Sequence, residues 1–295
     1  MRTLSTVALF PAFALLCSGA GAQTPAPNLM PDGSSDMYAG LGVQSAPRYA
    51  GADQRRTRPL PVLQGQWSTG VFVSGMSAGL HLSARPLLEY GPLIALHPGR
   101  DDGGNGASAI GIQTLSGEGN LRRLTTALVQ YNATVIASGN RLNGLPSIAR
   151  RLQGGAFANV YLAPTLRLTS RALYGAGNDH RGATFHVGIQ ALNLAPFPHH
   201  SLMVEGELAL ANRHYNQEFF GIDNDQSVSS GHPLYQAHGG WRDGRIGARW
   251  NWTLTPSWML VSGLDATRQL GTTRTSPLVT RTTGVSVSTA LAFRF

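Results

Sequence analysis

The sequence predicts an all-β protein, an antiparallel transmembrane β-barrel of about 12 strands, with ten or fourteen as alternatives. Three observations predict it. Apolar residues recur at every second position in runs of about 9 to 13 residues, the length a tilted strand needs to cross a bilayer. The connections split into short turns, such as Leu162 to Leu166 and Leu254 to Trp258, and long polar loops, Gln44 to Arg58, His214 to Arg242 and Gly271 to Thr283. The chain also finishes on an apolar face, "STALAFRF", where an end in water would fray and gain nothing from a phenylalanine.

Composition agrees. Only 13% of the 295 residues are charged, Gly is high at 36 and apolar content is 42%. That profile suits a turn-rich β protein with a large uncharged surface and disfavours a charged, helix-rich enzyme. A water-soluble sandwich also alternates, but its strands average about 5 to 6 residues and its outer faces carry more charge. In hydrocarbon every backbone N–H and C=O needs an internal partner, and without helices only a closed sheet provides one.

From the N-terminus, Arg2 precedes the apolar run Val7 to Leu16, and Ala20 and Ala22 form an A-x-A site before Gln23. Residues 1–22 read as a secretory signal peptide. Cys17 leaves with it, so the mature chain carries no thiol or disulfide chemistry. Residues 23–35, "QTPAPNLMPDGSS", are Pro-rich and polar and read as a flexible periplasmic leader. Residues 36–295 form the barrel, with strands placed at 36–44, 59–67, 71–82, 86–96, 152–163, 165–174, 182–193, 201–213, 243–254, 257–270 and 284–295. With both chain ends on the periplasmic side the number must be even. One strand is therefore missing between 97 and 151, to be supplied by Leu124 to Ile136 or by Ser108 to Leu115. Trp241, Trp250, Trp252 and Trp258 read as an interfacial girdle.

The last strand carries Val285, Val287, Thr289, Leu291, Phe293 and Phe295 on one face and small or polar residues on the other. Leu291, Phe293 and Phe295 are the candidate C-terminal assembly signal, read by the barrel insertion machinery. Arg167, Arg171, Glu205, Glu207 and Arg249 fall opposite the apolar positions of their strands. Charges facing lipid at the midplane cost about 2–4 kcal/mol, so these five point into the lumen. There they form either a salt-bridged filling or a charged eyelet that selects solutes.

No catalytic site emerges. His186 faces the lumen with no serine placed beside it and no G-x-S-x-G, and reads as a satisfied lumen histidine. Asp101, Asp102 and the Asn178–His180 stretch read as solvated loop charge. His199 and His200 lack further ligands at metal spacing. Asp223 and Asp225 lack the Gly and Glu of a calcium loop. No cofactor, metal or enzymatic activity is expected. The net charge of +8 comes entirely from arginine, yet no nucleic-acid motif surrounds it. Guanidinium pairing with lipopolysaccharide phosphate is the better use for that charge.

Several ordered stretches resemble the MipA/OmpV outer-membrane family. They are "PRYAGADQRRTRPLPVL" (Pro47 to Leu63), "GNRLNGL" (Gly139 to Leu145), "EFFGID" (Glu218 to Asp223), "SGHPLY" (Ser230 to Tyr235), "LTPSWML" and "TSPLV" (Thr275 to Val279). Residues 100 to 137 depart from the pattern with a longer link. The resemblance implies a barrel in the outer membrane of a Gram-negative cell. It also implies an accessory role as scaffold for periplasmic murein enzymes, a lytic transglycosylase and a penicillin-binding protein. A porin-like diffusion channel for polar solutes and a surface-loop adhesin are the alternatives. The family carries no catalytic residue to transfer.

Overall fold

Alternation becomes a closed wall. The computed structural model describes residues 34–83, 87–106, 109–111 and 140–295. The strands are β1 (Ser35–Pro47), β2 (Arg55–Trp67), β3 (Val71–Ser74), β4 (Ser77–Leu80), β5 (Leu88–His97), β6 (Arg100–Asp101), β7 (Gly104–Asn105), β8 (Arg151–Ala163), β9 (Leu166–Ala176), β10 (Gly182–Leu194), β11 (His200–Ala211), β12 (Gly240–Thr253), β13 (Trp258–Gln269) and β14 (Thr283–Arg294). Two helices, α1 (Arg213–Phe220) and α2 (Asn224–Ser230), stand between β11 and β12. Twelve of the strands close an antiparallel barrel, while β6 and β7 form a separate two-residue ribbon. The signal peptide and nearly all of the leader lie outside the described residues.

The barrel closes where the sequence places the seam. β14 pairs β1 antiparallel, with Leu41 opposite Leu291 and Ala39 opposite Phe293. The wall is tight there: a Cβ at Gly40 or Gly42 would collide with the carbonyl oxygens of Leu291 or Thr289. The last strand ends at Arg294, but the Phe295 amide still donates to Met37 O at 3.0 Å, extending the ladder to the final residue. Short connections at 68–70, 164–165, 195–199 and 254–257 share one end with Ser35 and Phe295; the other end carries the five-residue connection 177–181 and the longer loops. The chain is thus an outer-membrane barrel with its short-turn end toward the periplasm.

Leu41 (65% exposed), Ile246 (70%) and Leu152 (65%) stand outward, whereas Glu205 (8%) and His186 (8%) are buried inward. An inside-out distribution of this kind fits a hydrocarbon solvent. Trp250, Trp252 and Trp258 sit at the periplasmic end, with His200 stacked on both Trp250 and Trp252 at 5.4 Å. Trp241, grouped with them on sequence, lies at the opposite end of β12, because that strand runs the full wall height between them.

The missing strand is found elsewhere than expected. The stretch 71–82 is a hairpin of two four-residue strands that turns at Gly75 and Met76 inside the wall. It supplies the extra strand that parity demands. Leu124 to Ile136 lies outside the described residues. Of Ser108 to Leu115 only 109–111 is described, and it is no barrel strand: Ile110 makes a single parallel bridge to Val62.

That bridge fills a notch. β3 reaches only Gln64 to Gln66 of β2, leaving the upper edge of β2 without a strand partner. Leu63 N–H donates to Ile110 O and Ile110 N–H donates to Pro61 O, at 3.0 and 3.2 Å. Residues two apart share an edge, so Pro59 and Pro61 turn their donor-less nitrogens to the notch. Proline is tolerated there because no ladder partner waits for its hydrogen.

Candidate functional site: a capped lumen with a periplasmic mouth

Strand register brings the inward charges of β5 and β8–β12 into one network. Arg167 meets Glu89 at 3.1 Å, and Tyr161 donates to the same carboxylate at 2.7 Å. Arg167 Nε donates to Gln190 Oε1 at 2.9 Å, and Gln190 Nε2 donates to Glu205 at 2.7 Å. Arg245 binds Glu205 at 2.7 Å. Glu207 takes Arg171 at 3.0 Å and His186 at 2.9 Å, with Arg245 3.8 Å away. Arg249 donates to Gly111 O at 3.1 Å, tying the inserted segment to β12.

Arg167, Arg171, Glu205, Glu207 and Arg249 line the central cavity, as does His186, which lies 2.9 Å from Glu207. Glu89, Arg245 and Asp265 were not singled out on sequence, although the two-residue period turns them inward with the rest. The four arginines, Arg167, Arg171, Arg245 and Arg249, face four acids, Glu89, Glu205, Glu207 and Asp265. The filling is therefore close to electroneutral.

The wall formed by β1, β2, β13 and β14 carries an apolar cluster beside the part-buried pair of Arg294 and Asp36. Tyr38, Val62, Met259, Val261, Ala290 and Ala292 form a buried cluster across β1, β2, β13 and β14, with Ile110 packed against it. Inward Ala and Val thus pack much of this side, while most of the ion pairs lie on β5 and β8–β12.

The outer mouth is covered by folded loops. α1 begins at Asn212, whose side chain accepts from Tyr215 N–H, and α2 begins at a capping box of Asp223 and Gln226. Asp223 is thereby committed to a helix start rather than to a cation. Tyr215, Phe219, Phe220, Ile148 and Ala237 make a small core over the barrel end. His97 at the top of β5 lies 3.2 Å from the Tyr215 hydroxyl. Arg100 donates to Phe219 O at 2.5 Å, and burial pushes its guanidinium down to about 10.

The stretches carrying the family resemblance converge in this cap. Tyr49 donates to Leu278 O at 3.0 Å, and Ser276 to Phe220 O at 2.6 Å. Ile222 bridges Tyr235, and Leu142 packs with Tyr49 and Ala52. Asp179, read as loop charge, pairs with His214 at 3.1 Å.

The network and the residues toward the short-turn end line two cavities among the described residues. A cavity of about 440 Å³ runs from Arg245 and His186 down to Tyr161, Asn193 and Ser201. A second, of about 390 Å³, shares Asn193 and Ser201 and reaches the turn residues Thr255, Pro256 and Ser257. Together they form a concave mouth on the periplasmic face. Leu291 and Phe293 face outward, and Phe293 packs edge-on against Trp258 at 5.0 Å and Phe295 at 5.1 Å. Among the described residues no group of three His, Cys, Asp or Glu could hold a metal ion.

The sequence profile of the family described as MltA-interacting protein MipA matches residues 39–295. No curated protein matches the chain. Among solved structures the chain is similar to the KdgM porin, at 8% identity and a TM-score of 0.42, covering 88% of this chain and 99% of that one. It is similar to the NanC porin at 10% identity and a TM-score of 0.43, covering 89% and 100%. The toluene transporter TodX of Pseudomonas putida follows at 9% identity and a TM-score of 0.39, with 90% of each chain covered.

Proposed function

Because the chain belongs to the MltA-interacting protein family, we propose that it is a non-enzymatic accessory barrel. It holds a periplasmic murein-processing enzyme, a lytic transglycosylase, against the outer membrane. The observation that carries this reading is the asymmetry of the lumen. Its outer end is covered by packed loops, while its inner end is a concave mouth between the turns at 195–199 and 254–257. The turns are too short to embrace a partner, so a protruding segment of the enzyme enters the mouth, with the leader as a second grip. The signal peptide at 1–22 delivers the chain to this compartment.

Affinity purification from detergent-solubilised envelopes tests it. The wild-type barrel should retain a lytic transglycosylase. Ala195→Arg, which places a long cation at the mouth without touching the network, should release it. A folded Ala195→Arg barrel that retains the enzyme as wild type does would sink the reading. The charged network favours a second reading, a narrow channel for polar solutes. Discrete conductance steps from the refolded wild-type barrel in planar bilayers would support the channel instead.

A further inference from the structure

The outward face of β8–β11 carries a groove that the lumen reading does not use. It lies near the outer ends of these strands and encloses about 410 Å³. Its floor is made of small residues, Gly154, Ala172 and Ala183, and its walls are Tyr174 and Phe185, 58% and 46% exposed. Register explains the shape. Tyr174 stands between Gly154 and Ala183, and Phe185 stands between Ala172 and Leu210. Two aromatic side chains thus rise from a floor with almost no side-chain height. On a lipid-facing wall such a slot is filled by hydrocarbon.

Two exposed arginines, Arg181 and Arg213, adjoin the upper end of the groove through Asn212. Asn212 lines the groove and donates to the backbone carbonyl of Arg181 at 2.8 Å, which fixes that loop directly above. Arg213 follows Asn212 in the chain. Both arginines are exposed, and neither guanidinium has a hydrogen-bond partner among the described residues. The nearby carboxylate, Asp179, is engaged by His214 at 3.1 Å and by the Arg181 amide at 2.9 Å. Two exposed arginines on the chain segments bordering an apolar slot match a phosphate above an acyl chain.

We propose that this face binds the lipid A part of lipopolysaccharide, with one acyl chain between Tyr174 and Phe185 and a phosphate on Arg181 and Arg213. Outer-leaflet depth and charge select this occupant over a second copy of the chain, which would bring its own arginines to the same rim.

Refolded barrel in nonionic detergent is titrated with hexa-acylated lipid A and, separately, with phosphatidylethanolamine, with binding read by native mass spectrometry. Wild type should bind lipid A at concentrations where phosphatidylethanolamine does not bind. Arg181→Glu with Arg213→Glu should weaken lipid A roughly tenfold, the loss of one charge-assisted contact or more. Gly154→Leu should abolish the bound species, since a Cβ there meets nothing within 4 Å and the larger side chain occupies the slot. Heat-modifiable gel mobility establishes that each variant is folded. If Gly154→Leu does not fold, Tyr174→Ala removes a wall without adding volume and should weaken binding in the same way. Folded variants that bind lipid A as wild type does, equal binding of phosphatidylethanolamine, or a dimer dispersed by Gly154→Leu would each overturn the proposal.

Discussion

Glu207 is the residue on which the lumen network turns. One carboxylate, 14% exposed, serves Arg171 and His186, with Arg245 close by. Gln at this position keeps the shape but removes the charge that two guanidinium groups face. Glu207→Gln should therefore cost roughly 1–3 kcal/mol, the usual loss when a hydrogen bond to a charged group goes unmade. The check is the urea concentration at which the folded, heat-modifiable band disappears; an unchanged midpoint would show that the solvated cavity screens the cluster. Phe295 invites a different test. Its amide extends the β1 ladder and its ring packs on Phe293, so its loss removes both a backbone bond and an aromatic contact at the seam. If Leu291, Phe293 and Phe295 are the signal read during insertion, deleting Phe295 should leave unassembled protein in the periplasm. Fractionation that finds the truncated chain in the membrane at wild-type level would count against that role.

At the scale of elements, the β3–β4 hairpin separates what periodicity reveals from what it hides. The seam strand, the outward Leu and Val rows and the inward charges were all legible, because a period of two is imposed by the pleat wherever one face meets lipid. The hairpin was not, because "VFVSGMSAGLHL" keeps its period on both sides of a turn that lies within the wall. Gly75, at φ 58°, was the local clue. The two helices also escaped notice. They are short and their stability comes from packing on the cap, although the Asp223–Gln226 capping box stood in the sequence. The notch beside the hairpin depends on Ile110, whose side chain joins the apolar cluster of the lumen. Ile110→Asp would bury a carboxylate among Tyr38, Val62 and Met259, which is costly without a partner. The inserted segment should then leave the β2 edge, and bilayer conductance should rise while the barrel stays folded. Unaltered conductance of a folded Ile110→Asp protein would mean that the notch is closed by other contacts.

At the scale of the whole molecule, the described residues form a barrel covered at its outer end and lined by cavities toward its short-turn end. Closure comes from the cap, where Phe219 stacks on Tyr215 at 4.5 Å and His97 lies 4.9 Å from Phe219. Such a core on α1 is small, and its removal leaves the strand ladders intact, so lumen access and barrel stability should separate. Tyr215→Ala with Phe219→Ala deletes two aromatic side chains, a loss of about 3–5 kcal/mol each if fully realised at a buried site. That exceeds what a short surface helix holds in reserve, and α1 should detach from the mouth. In planar bilayers the wild-type barrel should then show little conductance and the double variant frequent open steps. Four lumen arginines face four acids, so the currents released should discriminate weakly between potassium and chloride, with a reversal potential near zero in a salt gradient. Equal, large currents from wild type and variant would instead place the barrier outside the cap, or show that no barrier exists, and the accessory reading would yield to the channel.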